Sequence, residues 1–317
     1  MGGADLAGFP RMKDISAQDI REGLRLVTRS NPPRVVEAGG VRLGEGELVI
    51  IAGPCTVESR TQIFEIARAV KDAGARMLRG GVFKPMTFPY GDPLVQPDSD
   101  SGAPPEDRYQ VLPLEERFRR AEKRLGYFKE AGEKYGLPIV SEVLHAAAVK
   151  LMEPYVDMFQ VGYRHMFNMD LIEALSATEK PLLIKRHCGE SLRALLGVGE
   201  HFEARGKRNF AFCERGVAVP HTHQPTSRSI LDVQAICALK EFAPTVPVIA
   251  DPSHSTFRRS YVIPMARAAV AAGADGLLVE VHPDPPHAWV DNLQALDFAQ
   301  FREMVRQVEA IARVLGG

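Results

Sequence analysis

The sequence predicts an α/β protein, a (β/α)8 TIM barrel with an N-terminal β-hairpin extension. Three observations carry this prediction. Eight short apolar runs alternate with helical patterns along the chain. Each run is apolar at nearly every residue, which is typical of parallel strands covered on both faces. The eight units occupy about 270 residues, the usual size of such a barrel. A doubly wound open sheet is the alternative, but the number of strands favours closure.

The elements follow in order. Residues 1–34 are polar and proline-containing, and we expect an N-terminal extension too short for an independent domain. Residues 35–44 alternate around Gly39 and Gly40, which predicts a β-hairpin able to plug one end of a barrel. Residues 35–317 are then a single catalytic barrel. The predicted barrel strands are 48–53, 76–82, 137–143, 157–162, 181–186, 209–215, 247–252 and 276–282. The predicted helices include 59–73, 115–135, 230–242, 261–272 and 298–315.

One stretch interrupts this alternation. Residues 91–113 are rich in proline and contain Asp-Ser-Asp-Ser-Gly, so we predict a long loop without regular structure after the second barrel strand. Such a loop lies on the same rim as the polar strand ends. Long loops in compact domains are usually functional or disordered, and both a functional loop and a tolerated insertion stay open here.

Composition excludes several classes of function. A formal net charge of −1 over 317 residues provides no basic footprint for nucleic acid. No apolar run approaches the roughly 20 residues that span a bilayer, and the N-terminus lacks the pattern of a signal peptide. Four widely spaced cysteines do not form a disulfide framework. We therefore expect a cytoplasmic protein with small-molecule substrates and neither a nucleic-acid nor a membrane partner.

Polar side chains with metal-binding chemistry follow three of the predicted strands. His254, Glu280 and Asp291 supply one imidazole and two carboxylates, a suitable set for a divalent metal ion. The carboxyl ends of parallel strands are where active sites of such folds are built. Cys55 follows the first strand. A lone cysteine is more often a buried apolar residue, but together with the other three it completes a metal-binding set.

Basic residues recur at the ends of four strands that converge on one rim. A charge at the end of a buried strand is costly unless an anion matches it. The cluster therefore suits a small substrate carrying phosphate and carboxylate, groups that arginine binds in bidentate fashion and lysine binds as a point charge. Its members are Arg79, Lys84, Arg164, Lys185 and Arg215.

Five sequence motifs occur in one order along the chain. They are GPCTVES, LRGGVFKPMTFPY, CERG, DPSHS, and VEVHPDP followed by Asp291. Together they resemble the motifs of 3-deoxy-D-arabino-heptulosonate 7-phosphate (DAHP) synthase, in the type I branch related to 3-deoxy-octulosonate 8-phosphate synthase. The resemblance covers about residues 35–300. It implies a transferase, a 3-deoxy-7-phosphoheptulonate synthase, that condenses phosphoenolpyruvate with erythrose 4-phosphate and releases phosphate. This is the first step of the shikimate pathway and of aromatic amino acid biosynthesis.

The resemblance also implies roles by motif position. Lys84, Cys55 and His254 are the expected catalytic residues, and Lys84 relays a proton with a pKa lowered by neighbouring cations. A homodimer or homotetramer is expected. One divalent ion, which can be manganese, iron, cobalt or zinc, is held by Cys55, His254, Glu280 and Asp291. The expected substrate contacts are Arg79, Lys84, Thr87, Arg164, Lys185, Arg215 and Arg228.

The chain departs from the family on the side of the aldehyde acceptor. The family's Lys-Pro-Arg-Thr-Ser reads Lys-Pro-Met-Thr-Phe at residues 84–88. In the family that arginine grips the phosphate of erythrose 4-phosphate, and Met86 cannot. Losing one charge-assisted contact costs roughly 1.5–3 kcal/mol. Erythrose 4-phosphate stays the first expected acceptor. The alternatives are another sugar phosphate, an unphosphorylated aldehyde, or replacement of the contact by Arg186, Arg228 or Arg108.

Two other functions are compatible with the same residues. One is a barrel that has lost its chemistry and serves as a binding or regulatory partner, which the complete ligand set argues against. The other is an aldolase that forms a Schiff base through Lys84 or Lys185. His221 and His223 share a face and form a disfavoured candidate for a second metal site, and His282 is a candidate for supporting Glu280.

Overall fold

The computed structural model describes residues 23–30, 32, 34–104, 106–107, 109–220 and 229–316. Most of the N-terminal extension lies outside these ranges, as do the candidate residues Arg108, His221, His223 and Arg228. The predicted hairpin is confirmed as two antiparallel strands, β1 (Val36–Ala38) and β2 (Val41–Leu43). Their buried faces join the apolar residues inside the barrel in one cluster. The hairpin therefore closes the end of the barrel opposite the carboxyl ends of the strands.

Eight parallel strands form a closed barrel in sequence order, so the predicted (β/α)8 architecture is confirmed. Each strand lies within its predicted range, and nearly all strand residues are buried, because helices cover the outside and side chains fill the inside. The barrel strands are β3 (Val49–Gly53), β4 (Met77–Arg79), β5 (Ile139–Val143), β6 (Met158–Val161), β7 (Leu182–Lys185), β8 (Phe210–Glu214), β9 (Val248–Ala250) and β10 (Gly276–Glu280).

Helices alternate with these strands and bury one apolar face against them. In the described part of the chain, no helix combines the length and apolar character needed to cross a membrane. The helices are α1 (Arg60–Asp72), α2 (Leu114–Tyr135), α3 (Ala146–Met152), α4 (Met169–Ser176), α5 (Leu192–Ala204), α6 (Val233–Phe242), α7 (Pro252–Thr256), α8 (Arg259–Ala271) and α9 (Phe298–Val314).

The N-terminal ends of α9 and α1 show how local residues set the first residue of a helix. Asp297 and Gln300 form a reciprocal capping box at the start of α9. Ser59 caps α1 by accepting a hydrogen bond from the backbone N–H of Gln62. Each cap satisfies backbone donors that the first helical turn leaves free.

The loop between β4 and α2 corrects one prediction. It was expected to lack regular structure, but it contains two short 3₁₀ helices, Pro93–Val95 and Ser99–Ser101. Asp92 and Asp98 start them, each accepting a hydrogen bond from the backbone two residues ahead. Local aspartate turns of this kind are compatible with a proline-rich segment because they need no long ladder of backbone hydrogen bonds.

Arg124 on α2 ties this loop to the barrel. Its guanidinium donates to the carbonyl oxygens of Pro93 at 3.0 Å and of Gln96 at 2.9 Å. Burial lowers the pKa of Arg124 to about 10, despite the nearby Asp98 and Asp92. The loop is thus held against the rim of the barrel.

Candidate active site

Four predicted ligands meet at the carboxyl end of the barrel. The donor atoms of Cys55, His254, Glu280 and Asp291 all lie within 4.8 Å of one another. The Cys55 Sγ is 2.8 Å from Asp291 Oδ2, and the His254 Nε2 is 3.2 Å from Glu280 Oε1. One thiol, one imidazole and two carboxylates around a common centre fit a divalent metal ion. These residues can therefore hold the ion that the sequence predicted.

The backbone reaches this arrangement through two unusual positions. Gly53 ends β3, where a Cβ atom would lie 2.0 Å from the carbonyl oxygen of Arg79. Only glycine permits that approach, which precedes the turn carrying Cys55. Asp291 has a φ of 57°, a left-handed conformation that costs energy for a residue other than glycine. The loop after β10 thus holds this carboxylate toward the cluster.

Asp251 orients the imidazole of His254. Its Oδ1 accepts a hydrogen bond from the His254 backbone at 3.0 Å, and its Oδ2 lies 2.8 Å from His254 Nδ1. With Nδ1 engaged, Nε2 faces the ligand cluster, as is usual for metal-binding histidines. Burial lowers the pKa of His254, but Asp251 and Glu280 outweigh it and the pKa is raised.

Asp251 also contacts Lys185, whose Nζ lies 2.6 Å from its Oδ2. Burial raises the pKa of Asp251, but His254 and Lys185 outweigh that effect and hold it well below the usual range. The buried carboxylate of Asp251 thus links His254, a candidate metal ligand, with Lys185, a candidate substrate-binding residue. Sequence reasoning did not single out Asp251, although its position as the N-cap of α7 in the DPSHS motif was a usable signal.

Glu280 is surrounded by donors. Its Oε1 accepts from Arg79 Nη1 at 2.9 Å, and its Oε2 accepts from Gln294 at 2.8 Å. Burial raises the pKa of Glu280, but His254 and Arg79 outweigh it and the pKa is lowered. Arg79 was predicted to contact phosphoenolpyruvate. The structure shows it 4% exposed, paired with Glu280, and not lining the adjacent cavity.

Lys84 lies against the cluster, with its Nζ 2.8 Å from the Cys55 Sγ. The expectation that neighbouring cations lower its pKa is wrong. Burial lowers the pKa of Lys84, but the sulfur of Cys55 and the carboxylates of Glu142 and Asp291 outweigh it and raise the pKa. A lysine that forms a Schiff base needs a neutral amine. This environment therefore argues against the Schiff-base alternative for Lys84.

A cavity of about 340 Å³ opens beside the cluster, and four of the five predicted basic residues line it. They are Lys84, Arg164, Lys185 and Arg215. The Arg215 guanidinium lies 4.4 Å from the centre of the Tyr163 ring and donates to the carbonyl of His254 at 3.1 Å. Its Nε is buried without a hydrogen-bond partner among the described residues. An anionic ligand supplies such a partner.

Arg164 frames the outer side of this cavity. It donates to the carbonyl oxygen of Pro85 at 2.7 Å and to Thr87 Oγ1 at 3.0 Å. The predicted contact residue Thr87 thus lies beside the predicted cation Arg164. Arg228, the remaining predicted contact, lies in the segment that the structure does not describe.

Glu142 and Gln160 line the same cavity, and sequence reasoning missed both. Each interrupts an otherwise apolar strand, β5 or β6, which was the available signal. Gly162 allows Glu142 its position, because a Cβ atom there would lie 1.8 Å from the carboxylate. The cavity therefore contains an acid facing its basic residues.

Two further candidates have other partners. Arg186 was considered as a replacement for the missing acceptor arginine, but its Nη1 lies 3.0 Å from Glu214 Oε2 and 2.9 Å from Asp232 Oδ2. Its Nη1 is therefore already paired with two carboxylates and does not replace the missing arginine. His282 was expected to support Glu280. Instead its Nε2 is 3.3 Å from Glu58 Oε1, on the loop that follows Cys55.

A second cavity, of about 520 Å³, lies next to the first on the side of Met86. The two share a wall formed by residues 84–88 and Arg164. Met86 is part of this wall, so no guanidinium occupies the family's arginine position. The outer lining comes from Asp92, Gln110, Val111, Leu112, Arg117, Leu144, His145 and His165.

Comparison with known proteins matches the chain to one sequence family. The model of the DAHP synthetase I family matches residues 25–91 and 120–314. Residues 92–119, which build most of the outer wall of the second cavity, fall in the gap between the two matched segments.

Individual relatives extend this match. The chain is 35% identical over 294 residues to a phospho-2-dehydro-3-deoxyheptonate aldolase of Thermotoga maritima, covering 92% of this chain and 78% of the relative. It is 31% identical to a 2-dehydro-3-deoxyphosphooctonate aldolase of Nitrobacter hamburgensis, covering 87% of this chain and 92% of the relative. The crystal structure of the Thermotoga maritima DAHP synthase superposes with a TM-score of 0.76 at 35% identity, covering 90% of this chain and 75% of that one.

Proposed function

The chain belongs to the DAHP synthetase I family, and from this premise we propose a metal-dependent condensation of phosphoenolpyruvate with an aldehyde. Erythrose 4-phosphate is the first acceptor, and DAHP and phosphate are the products. This reaction is the first step of the shikimate pathway, and we propose that it runs in the cytoplasm in a homodimer or homotetramer.

One observation carries the proposal. The four-residue ligand cluster directly adjoins a cavity lined by basic side chains, with Lys84 Nζ 2.8 Å from the ligand Cys55 Sγ. A dianionic phosphate and a carboxylate are therefore matched by cations beside a site for a carbonyl-polarising ion. Neither a vestigial barrel nor a simple binding module requires this combination.

The chemistry follows from the substrates. C3 of phosphoenolpyruvate forms a bond to the aldehyde carbon, a water molecule adds its oxygen to C2, and the hemiketal phosphate then releases inorganic phosphate. A divalent ion, when bound, polarises the aldehyde carbonyl as a Lewis acid. Developing negative charge on that oxygen and on the leaving phosphate is stabilised most by cations held in place beforehand.

We assign each step of this reaction to particular residues of the cavity. Lys185 and Arg215 bind the anionic groups of phosphoenolpyruvate at the bottom of the cavity, and Arg164 closes its outer side. Lys84, whose Nζ lies 2.8 Å from the Cys55 sulfur, is placed to donate a proton to the alkoxide formed from the aldehyde. Glu142, which lines the same cavity as Lys84, is assigned to accept a proton from the attacking water.

The test measures condensation directly. The purified protein is loaded with Mn²⁺ and given phosphoenolpyruvate and erythrose 4-phosphate, while phosphate release and the seven-carbon product are followed. We expect turnover that chelation abolishes and added Mn²⁺ restores. Turnover that survives complete removal of the metal, or borohydride trapping of a lysine adduct, contradicts the proposal.

A different acceptor is the second candidate, because Met86 stands where the family has its phosphate-binding arginine. A panel of four- and five-carbon aldehydes, with and without phosphate, decides between acceptors. Fastest turnover with erythrose 4-phosphate excludes the second candidate. The relatives named for an eight-carbon product make arabinose 5-phosphate an informative member of the panel.

A further inference from the structure

The second cavity distinguishes this chain from the pattern of its family. Most of its outer wall is built by residues between 92 and 119, which the family model does not match. Its inner wall is the segment that carries Met86. Residues 92–119, which lie between the two matched segments and are called the insertion below, and the position of Met86 therefore meet at the same cavity.

The charges around this cavity are unbalanced. Arg117 from α2, His145 at the end of β5 and His165 after β6 all line it, with Lys84 and Arg164 on the shared wall. Among the described residues, the lining contains one acid, Asp92, which pairs with Arg117. Basic groups that outnumber the acids of a cavity favour an anionic ligand.

Arg117 lines this cavity and has hydrogen-bond donors available for such a ligand. Its Nε lies 2.8 Å from Asp92 Oδ2, and Asp92 also caps the first 3₁₀ helix of the loop through its other oxygen. Among the described residues, Asp92 is the one side chain that pairs with this guanidinium. The two terminal nitrogens of the guanidinium remain for a second, bidentate partner.

His145 supplies a further polar group without a partner. Its Nε2 is buried and forms no hydrogen bond within the described parts of the chain. The rings of Phe83 and Phe118 pack around it. Burial, together with the positive charges of Arg117 and His165, lowers the pKa of His145. An anion bound among Arg117, His145 and His165 lowers the repulsion between these groups. It also gives the buried Nε2 of His145 a hydrogen-bond partner.

We propose that this cavity binds the distal phosphate of the aldehyde acceptor, with Arg117 of the insertion taking over the task of the arginine that Met86 replaces. His145 donates a hydrogen bond to the same phosphate. The inference deepens the proposed condensation and rests on it for the orientation of the acceptor. With the carbonyl at the ligand cluster, the shared wall of residues 84–88 leads the acceptor chain from the first cavity into the second.

The decisive experiment measures binding of a ligand that cannot react. Erythritol 4-phosphate has the phosphate of the acceptor but no carbonyl, so its affinity does not depend on turnover. Calorimetric titration is carried out with phosphoenolpyruvate and Mn²⁺ present, so that the phosphoenolpyruvate site is already filled. For Arg117→Gln we expect a loss of affinity of about 10- to 100-fold. Erythritol itself is expected to bind weakly and equally to both proteins.

Two matched variants separate the charge of Arg117 from its structural role. Arg119→Gln changes the same residue type two positions along α2, where the side chain is 71% exposed and paired with Glu116; it is expected to bind like the unaltered protein. Asp92→Asn breaks the same ion pair but keeps the guanidinium, and is expected to bind at least as tightly. If Asp92→Asn loses as much affinity as Arg117→Gln, the residue only supports the loop and the proposal is overturned.

Kinetics give an independent readout. In the unaltered protein, we expect kcat/KM to be far higher for erythrose 4-phosphate than for erythrose, and Arg117→Gln to reduce this preference while leaving the KM for phosphoenolpyruvate unchanged. Equal turnover of the two aldehydes in the unaltered protein overturns the phosphate site but leaves the condensation intact. Tight binding of erythritol 4-phosphate without any condensation overturns the proposed function but supports the phosphate site.

Discussion

The two sides of the barrel mouth are built by different means. On the side of the ligand cluster, buried charges are held in pairs, such as Arg79 with Glu280 and Lys185 with Asp251. These residues lie in the segments that match the family model. On the side of Met86, Thr87 and Phe88 are exposed, and most of the outer wall comes from residues between 92 and 119, which the family model does not match.

This difference indicates which side of the barrel mouth tolerates amino-acid substitutions. A buried charge network tolerates little change, because removing one partner leaves the other charged and unpaired in a site of low polarity. An exposed wall with a loop around it accepts substitution at small cost. Met86 and the insertion lie on the variable side, so we expect the shared chemistry in one half of the mouth and the substrate selectivity in the other. Four predictions sharpen this contrast, from the largest effect to the smallest.

His254→Ala removes one metal ligand and should reduce kcat/KM by at least about 10³-fold, because the charge that the ion stabilises loses its support. Metal content per chain, measured by mass spectrometry of the dialysed protein, should fall in parallel. His287→Ala is the control, since that side chain is 81% exposed. If His254→Ala keeps full metal content and full activity, the four-residue cluster does not bind the metal ion that catalysis requires.

Arg186→Met should lower the free energy of unfolding by about 3–5 kcal/mol, because it leaves Glu214 and Asp232 without their buried cation. Denaturant titration measures the loss. Arg306→Met, at an exposed ion pair on α9, should leave the unfolding midpoint unchanged. If Arg186→Met has unchanged stability but a raised KM for the aldehyde, Arg186 binds the acceptor and does not stabilise the fold.

Asp251→Asn should weaken metal binding by about 10- to 100-fold, since supporting residues of metal-ligating histidines typically have effects of this size. The asparagine keeps the size of the side chain but loses the charge that orients His254 and pairs with Lys185. Titration with Mn²⁺ measures the affinity. We also expect a higher KM for phosphoenolpyruvate, which the exposed control Asp284→Asn should not show; an unchanged metal affinity would contradict this role.

Met86→Arg restores the family's residue and should raise the preference for erythrose 4-phosphate over erythrose by at most about fivefold, because Arg117 already supplies a cation to the phosphate and a second cation at this partly exposed position adds no more than about 1 kcal/mol. Met86→Leu is the uncharged control. The effect should grow in the Arg117→Gln background, where residue 86 becomes the main cation for the phosphate. A large gain in the unaltered background would mean that Arg117 does not contact the acceptor.

Much of the fold and of the ligand cluster could be predicted because both depend on local patterns. The strand ranges followed from apolar runs, and Cys55, His254, Glu280 and Asp291 followed from the rule that strand ends meet at one rim. The partners of charged residues could not be predicted in the same way. Arg79 and Arg186 looked like substrate contacts at strand ends, yet both are paired with carboxylates from distant segments.

The sequence by itself determined the barrel, the order of its strands and the four residues that converge in the candidate metal site, because periodicity and strand ends are properties of neighbouring residues. Only the tertiary structure decided which charges are neutralised inside the protein and which face a cavity. It brought Asp251 between Lys185 and His254, and it set Arg117 of the insertion next to His145. Such pairings depend on distances between segments far apart in the chain, which no local pattern encodes.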